Sequence, residues 1–235
     1  MSVLQGRRRR YARSAVSALA VAWSLGALAG CGGVSQRPGR APAVAASTAP
    51  AIAAFERDPN AANWEALHAS LLKGAIAPEI ESRLIEALAN RQVPRNVFAA
   101  AAVDLATLDW GGAIQWVQKV NVAARGGRNP TAVANSSALA WMLLALRPTY
   151  ANDPVDLTHA DLRSGSPPDG LPLNLARVDF SRSELSAMTW SNSVLTDALF
   201  LGTSVDGVLK CTNCTFGTLQ YGGTVVLSDG KWRPR

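Results

Sequence analysis

The sequence predicts an α+β fold, in which a helical region at residues 51–150 precedes a repeating β structure at residues 151–235. Up to Leu146, large apolar residues recur three and four positions apart, which is the spacing along one face of an α-helix. From Val155 onward they recur at every fifth position, a period that neither an α-helix nor a β-strand explains. The segment 1–50 follows neither pattern, and its composition separates it from the folded part.

Residues 1–30 have the composition of an export signal. Five arginines, Arg7 to Arg10 and Arg13, form a basic end of the kind that stays on the cytoplasmic side of a membrane. An uncharged stretch rich in alanine and leucine follows, from Ser14 to Gly30. Because a comfortable membrane span needs about 20 apolar residues, this short stretch predicts a signal peptide rather than a membrane helix.

The leader ends in Leu28-Ala29-Gly30-Cys31, which resembles the lipobox of bacterial lipoproteins. The resemblance implies cleavage before Cys31 and acylation of that cysteine on its sulfur and its amine. Several acyl chains on one residue give stable attachment to membrane lipid. Since Gly32 rather than an aspartate follows, we expect an exported protein anchored to the outer membrane and facing the periplasm. An ordinary secretory signal or an uncleaved anchor is the alternative.

Residues 31–50 consist mostly of Gly, Ala, Ser and Pro, and this composition predicts a flexible tether. Of the 23 Lys and Arg residues, five lie in residues 1–30, where no acid is found. The rest of the chain has 18 basic and 17 acidic side chains, a net charge of +1. The basic balance of the full chain is therefore a targeting feature and gives no reason to expect nucleic acid as a partner.

Four helical segments are predicted between residues 60 and 147. Asn60 is a suitable N-cap for the first segment. Prolines stand where the other segments begin, at Pro78, Pro94 and Pro130. Asp109-Trp110-Gly111-Gly112 is expected to break the third segment, and the last segment stops before Pro148. Internal repetition is weak, and a solenoid of helical hairpins is the alternative arrangement.

The five-residue period is the main signal of the second half. The apolar residues at this interval are Leu157, Leu162, Leu175, Phe180, Leu185, Trp190, Leu195, Phe200 and Val205. Blocks such as Val155-Asp156-Leu157-Thr158-His159 and Val178-Asp179-Phe180-Ser181-Arg182 resemble pentapeptide repeats. The resemblance implies a short right-handed quadrilateral β-helix, in which each block forms one face and its central Leu or Phe fills the interior. A small irregular antiparallel sheet over residues 155–227 is the alternative.

The period is irregular in three places. Residues 165–170, rich in Gly and Pro, predict a protruding loop. Trp190 is large for an interior position, which predicts either a local widening or an outward side chain. The register slips by one near Asp206-Gly207, as at a turn or bulge. Beyond this slip the coil is expected to continue with new central residues at Cys211, Phe216, Tyr221 and Val226.

Residues that carry chemistry are few, and no catalytic, cofactor-binding or metal-binding residue is predicted. Cys211 and Cys214 have the spacing of a redox or zinc motif, but zinc requires two further ligands. In an oxidising compartment we expect the pair either to form a disulfide or to fill two small inward positions. Thioredoxin-like chemistry places the first cysteine at a helix start, which this segment does not predict. His159 has no nucleophile beside it and is expected to be solvated.

Three functions from different classes fit these features. The first is a noncatalytic, lipid-anchored binding or scaffolding protein of the cell envelope, whose coil faces an unidentified envelope protein. The second is a periplasmic thiol-redox enzyme that uses Cys211 and Cys214. The third comes from the family resemblance, because some pentapeptide-repeat proteins mimic nucleic acid and bind type II topoisomerases. That function requires a long acidic coil in the cytoplasm, whereas this chain has a leader and is nearly neutral, so the first is favoured.

Overall fold

The computed structural model describes residues 41–72, 78–167, 170–220, 222–228 and 231–234. Within these residues, five α-helices come first and eight β-strands follow, so the predicted α+β class is confirmed. The helices are α1 (Ala41–Arg57), α2 (Ala61–Leu71), α3 (Pro78–Asn90), α4 (Arg95–Gly126) and α5 (Pro130–Ala145). The strands are β1 (Val155–Asp156), β2 (Val178–Asp179), β3 (Glu184–Ser191), β4 (Ser204–Thr212), β5 (Thr215–Phe216), β6 (Leu219–Gln220), β7 (Thr224–Ser228) and β8 (Lys231–Pro234).

The starts of the helices follow local sequence signals. The Oδ1 atom of Asn60 accepts the backbone N–H of Asn63 at 2.9 Å, which confirms the predicted N-cap of α2. Helix α1 differs from the expectation of a tether over residues 31–50, because it begins at Ala41. Alanine has the highest helix propensity of the common residues, and the buried Ile52 and Phe55 attach the helix to the core.

Helix α4 contains the interruption that was predicted at residues 109–112, in the form of a kink. Asp109 has non-helical φ and ψ values of −157° and 86°, and its Oδ1 atom accepts the N–H of Gly112 at 3.0 Å. Helix α4 is also long and apolar enough to cross a bilayer by length and composition. Core helices pass the same test, and α4 places Leu105, Ile114 and Val117 in the core.

Parallel backbone pairing repeats along the segment 155–216, which we call the stacked region. Strand β3 pairs in parallel with β4, and Glu184 lies opposite Ser204. A single parallel bridge joins Asp179 to Leu199 at the same offset in sequence. The offset is larger where residues 165–170 intervene, since β1 pairs with β2 through Val155 opposite Val178. The chain therefore returns to the same face after every four of the five-residue blocks.

The central residues of the five-residue blocks lie inside the stacked region. Eight of them are almost completely shielded from solvent: Leu157, Leu162, Leu175, Phe180, Leu185, Trp190, Leu195 and Phe200. Val205, the ninth, is half-buried. Trp190 points inward with 1% of its surface exposed, so its size does not turn it toward solvent.

Sharp turns connect consecutive blocks, and residue types in the blocks explain them. Ser183 donates its backbone N–H to the carbonyl of Phe180, and Arg182 within this turn has a left-handed φ of 60°. Left-handed residues occupy the same place in other blocks, namely His159, Arg177, Asn192, Asp197 and Gly202. The Asp179 carboxylate accepts the N–H of Ser181 at 2.8 Å, as in an Asx-turn. In the four blocks that have Asp or Asn before the centre, this residue stabilises the turn that follows: Asp156, Asp161, Asn174 and Asp179.

The stacked region ends differently from the expectation. The predicted slip is confirmed as an irregularity in the β3–β4 pairing around Gly207. Continuation of the coil through Val226 is wrong, because β5 and β6 form an antiparallel hairpin across Gly217, whose φ is +62°. Strands β7 and β8 then add antiparallel to β4, and Val225 and Leu227 are buried in place of Val226. Tyr221 lies outside the described residues.

One core joins the helices to the stacked region. A column of aromatic rings runs from α5 to β8, with centroid distances of 6.2 Å from Trp141 to Phe180, 5.1 Å from Phe180 to Phe200 and 5.5 Å from Phe200 to Trp232. Trp190 packs beside this column against Trp141 and Trp232. Helix α5 therefore covers one end of the stacked region, and β8 covers the other.

Candidate functional site

Cys31, the expected lipid site, lies outside the described residues, so its acylation stays a prediction. Cys211 and Cys214 form a disulfide with a Cα–Cα distance of 5.9 Å, and neither residue is exposed to solvent. Asn213 between them has a left-handed φ of 55°, which brings the two sulfur atoms to the same side of the chain. Among the described residues, no group of three or more His, Cys, Asp or Glu is placed to hold a metal ion.

His159 lies at a left-handed turn position, where its backbone carbonyl accepts a hydrogen bond from Nη1 of Arg125 at 3.0 Å. This contact belongs to a polar cluster that docks α4 on the stacked region. Arg163 binds the carboxylates of Asp161 at 2.7 Å and Glu184 at 2.8 Å, and Arg125 binds Glu184 as well. Sequence reasoning missed this cluster because its members lie up to 59 positions apart.

The buried Asn121 completes the docking from inside. Its Nδ2 atom donates to the Asp161 carbonyl and to Oγ of Ser136, each at 2.9 Å, and its Oδ1 accepts the Asp161 N–H at 2.7 Å. The hydrogen bond from Arg163 to the Asp161 carboxylate holds the pKa of that carboxyl below its usual value, against the opposing effect of burial. The same pair raises the pKa of Arg163.

Asp161 gives the fold a defined acid sensitivity. Its depressed pKa means that the carboxylate stabilises the protein above an unfolded-state pKa of about 4, and that this contribution is lost as the pH falls through the lower pKa of the folded protein. Because solvent screens the half-exposed Arg163, we expect Asp161→Asn to cost only about 1 kcal/mol at neutral pH and to flatten the fall of stability in acid. Urea unfolding at a series of pH values measures this slope. Asp197→Asn is the matched control, and equal slopes for the two variants would contradict the assignment.

A large cleft lies where the helices meet the stacked region, and we call it the junction cleft. Its volume is about 710 Å³. Its walls come from the kink of α4, from the connection between α5 and β1 and from the turn that precedes β2. The residues that matter for its chemistry are Trp110, Gln115, Arg147, Tyr150, Asp153 and Arg177.

Arg147 is the buried charge of the junction cleft, with only 4% of its surface exposed. Its Nη1 donates to the carbonyls of Ala176 at 2.7 Å and Asn174 at 3.3 Å, and its Nη2 donates to the carbonyl of Asp153 at 2.6 Å. Its guanidinium lies 5.4 Å from the centroid of the Trp110 ring. The Nε atom is buried and has no hydrogen-bond partner among the described residues. Burial lowers the pKa of Arg147, and the negative charge of Asp153 opposes this effect only in part.

Aromatic rings and a second arginine complete the lining. Trp110 is fixed by the hydrogen bond from its Nε1 to the carbonyl of Leu143 at 2.6 Å, whereas Tyr150 is 84% exposed at the rim. Arg177 donates from Nη1 to the carbonyl of Asn152 at 3.2 Å. From the sequence, the residues after Leu146 predicted only the end of a helix. The one local signal of a buried charge was that Arg147 directly follows a long apolar run.

No protein-family model matches this chain, and no curated protein or solved structure is significantly similar to it.

Proposed function

We propose that this chain is a noncatalytic, lipid-anchored protein of the bacterial cell envelope that binds a protein partner through a short right-handed quadrilateral β-helix of the pentapeptide-repeat type. Three features support the β-helix. Parallel pairing recurs at one sequence offset, from Glu184 to Ser204 and from Asp179 to Leu199, and this offset spans four of the five-residue blocks. The central residues are buried, and left-handed turns separate the blocks. Segments stacked in this way cover one another's apolar faces, as in other repeat folds.

The observation that carries the binding function is the regular column of outward side chains. Asp156 lies opposite Asp179, and Asp179 lies opposite Leu199, so the three follow one face of the stack. Hydrogen-bonded strands are about 4.8 Å apart, which sets the spacing between these side chains. Asp197 lies beside them in a shallow depression of the same face. Because an ordered interior holds this surface, a partner can bind it with little loss of conformational entropy.

The contacts of the cysteine pair favour a structural role over thiol-redox catalysis. A redox-active disulfide must expose a sulfur atom to an attacking thiolate. Cys211 and Cys214 are both fully buried, and the Cys214 sulfur lies 3.6 Å from the Thr212 carbonyl. Thiol titration of the folded chain with and without reductant tests this role, and rapid reduction without unfolding would favour the enzyme instead.

The anchor is tested in cells by the Cys31→Ser substitution. We expect the wild-type chain to fractionate with the membrane and to carry acyl chains on the amino-terminal cysteine by mass spectrometry. Cys31→Ser should leave the chain unacylated and release most of it from the membrane fraction, since each lost acyl methylene removes about 0.8 kcal/mol of membrane affinity. Unchanged membrane retention of the variant would remove the anchoring claim.

The binding surface is tested with a photo-crosslinking residue introduced at single positions of the anchored chain. Asp197 and Leu199 occupy the proposed binding face, and Glu65 on α2 is an exposed control outside it. We expect the same adduct, identified by mass spectrometry, from Asp197 and Leu199 and none of it from Glu65. An equal yield from all three positions, or no adduct from the two positions on the face, would contradict the proposal.

A further inference from the structure

The buried charge of Arg147 has no described carboxylate at salt-bridge distance, and the negative charge of Asp153 compensates it only in part. Buried charged groups in proteins are ordinarily paired with an opposite charge, because desolvation without compensation is costly. Arg147 forms no salt bridge with any carboxylate in the part of the chain that the structure describes. Its partners are three backbone carbonyls and the face of Trp110. The junction cleft borders this buried cation, so an anion in the cleft would add to the partial compensation that Asp153 provides.

The second arginine of the cleft strengthens the attraction for an anion. Arg177 has one acceptor, the carbonyl of Asn152, and no described carboxylate pairs with it. Asp153 is the acidic residue in the lining, against the two arginines. The lining therefore has a net charge of +1, which fits a ligand with a single negative charge. Arginine binds carboxylates through paired hydrogen bonds that are stronger than those between neutral groups.

The aromatic lining indicates what accompanies the anion. The Trp110 ring is held in place by its hydrogen bond to Leu143, and Tyr150 places an exposed ring at the rim. Rings of this kind bind flat or ring-shaped groups with little loss of side-chain entropy. A cleft of about 710 Å³ is in the size range of clefts that enclose small organic ligands.

We propose that the junction cleft binds an organic monocarboxylate with a ring or a flat portion, whose carboxylate lies near Arg177 and the buried charge of Arg147 and whose ring lies along Trp110 and Tyr150. This site adjoins the outward face of the stacked region that carries the proposed function, and Arg177 lines both. Ligand binding in the cleft requires neither the lipid anchor nor a protein partner, and its test uses the purified chain alone, so a failure of one proposal is distinguishable from a failure of the other.

The test is calorimetric titration of the purified full chain with benzoate, indole-3-acetate and glucuronate, each compared with its primary amide. We expect saturable binding of at least one carboxylate at millimolar concentration or below, and binding of its amide about tenfold weaker. Raising the ionic strength should weaken the binding of the carboxylate and leave the binding of the amide unchanged. Equal affinities for acid and amide, or no saturable binding of any of the three acids, would overturn the proposal.

Matched variants locate the binding in the cleft. Arg177 and Arg182 both occupy left-handed turn positions of the stacked region, but only Arg177 lines the cleft. We expect Arg177→Gln to weaken carboxylate binding about tenfold and Arg182→Gln to leave it unchanged. Tyr150→Ala, at a position that is exposed to solvent, should weaken the binding of acid and amide alike. Equal effects of the two arginine variants would place the binding elsewhere and overturn the assignment.

Discussion

Replacing Trp190 with alanine is expected to lower the free energy of unfolding by about 3–5 kcal/mol, a large share of the total for a domain of this size. Trp190 is 1% exposed and contacts Trp141, Phe180, Phe200 and Trp232. The substitution removes the ring and leaves a cavity that the backbone cannot close, because pairing with β4, in which Trp190 lies opposite Cys211, fixes the strand. Urea or thermal unfolding followed by circular dichroism measures the loss.

Trp190→Phe separates packing from polarity at the same position. The indole Nε1 of Trp190 is buried without a hydrogen-bond partner among the described residues. Phenylalanine retains an aromatic ring and removes this unpaired donor, so we expect a cost below about 1.5 kcal/mol. Leu201→Ala is the surface control, since Leu201 is 77% exposed, and it should change stability by less than about 0.5 kcal/mol. A similar loss for Trp190→Phe and Trp190→Ala would show that the ring does not support the core.

The interior of the stacked region could be predicted because its signal is local. Leu175, Phe180 and Leu185 follow one another at a fixed interval, and any fold that buries every fifth residue must turn after each block. The left-handed turns themselves were not foreseen. Arg177 and Arg182 are poor markers of positive φ, because arginine, unlike glycine or asparagine, is rarely selected for that conformation.

The closing strands could not be predicted from the same period. Phe216 continues the five-residue interval, but Gly217 reverses the chain, and β7 buries alternate residues. Apolar residues two apart and five apart coincide over such a short stretch, so periodicity alone does not distinguish them. The ring of Trp232 packs on Phe200 and Phe216 at the end of the core, and this contact favours the antiparallel strands over a further turn of the stack.

The junction cleft was also outside the reach of sequence reasoning. Trp110 lies at the kink of α4, Arg147 follows α5 and Arg177 lies in a turn of the stacked region. No local pattern connects these residues, and only the packing of α4 and α5 on the stacked region brings them together. The charge cluster depends on this packing only through Arg125 of α4, because Asp161, Arg163 and Glu184 meet within the stacked region, where Asp161 lies opposite Glu184.

The second large effect on stability is expected at Gly207, where the β3–β4 pairing is irregular. Gly207 has a φ of +98°, and a Cβ atom there would lie 2.8 Å from the Cβ of Ala187 on the neighbouring strand. We expect Gly207→Ala to cost about 2–4 kcal/mol, because backbone strain of about 1–2 kcal/mol adds to the steric clash. Gly217→Ala isolates the strain, since Gly217 has a φ of +62° and no atom within 4 Å of the added methyl group. It should cost about 1 kcal/mol.

A double-mutant cycle then tests whether the part of the Gly207→Ala loss that strain does not explain comes from the contact between the two strands. Ala187→Gly removes the atom that the new methyl group of Gly207→Ala would meet, so the double variant should recover the steric part of the loss and retain the strain. Chemical denaturation of the two single variants and the double variant gives a coupling energy of about 1–2 kcal/mol. Strict additivity would mean that the strands separate freely at this point, and Gly207 would then matter only for its backbone conformation.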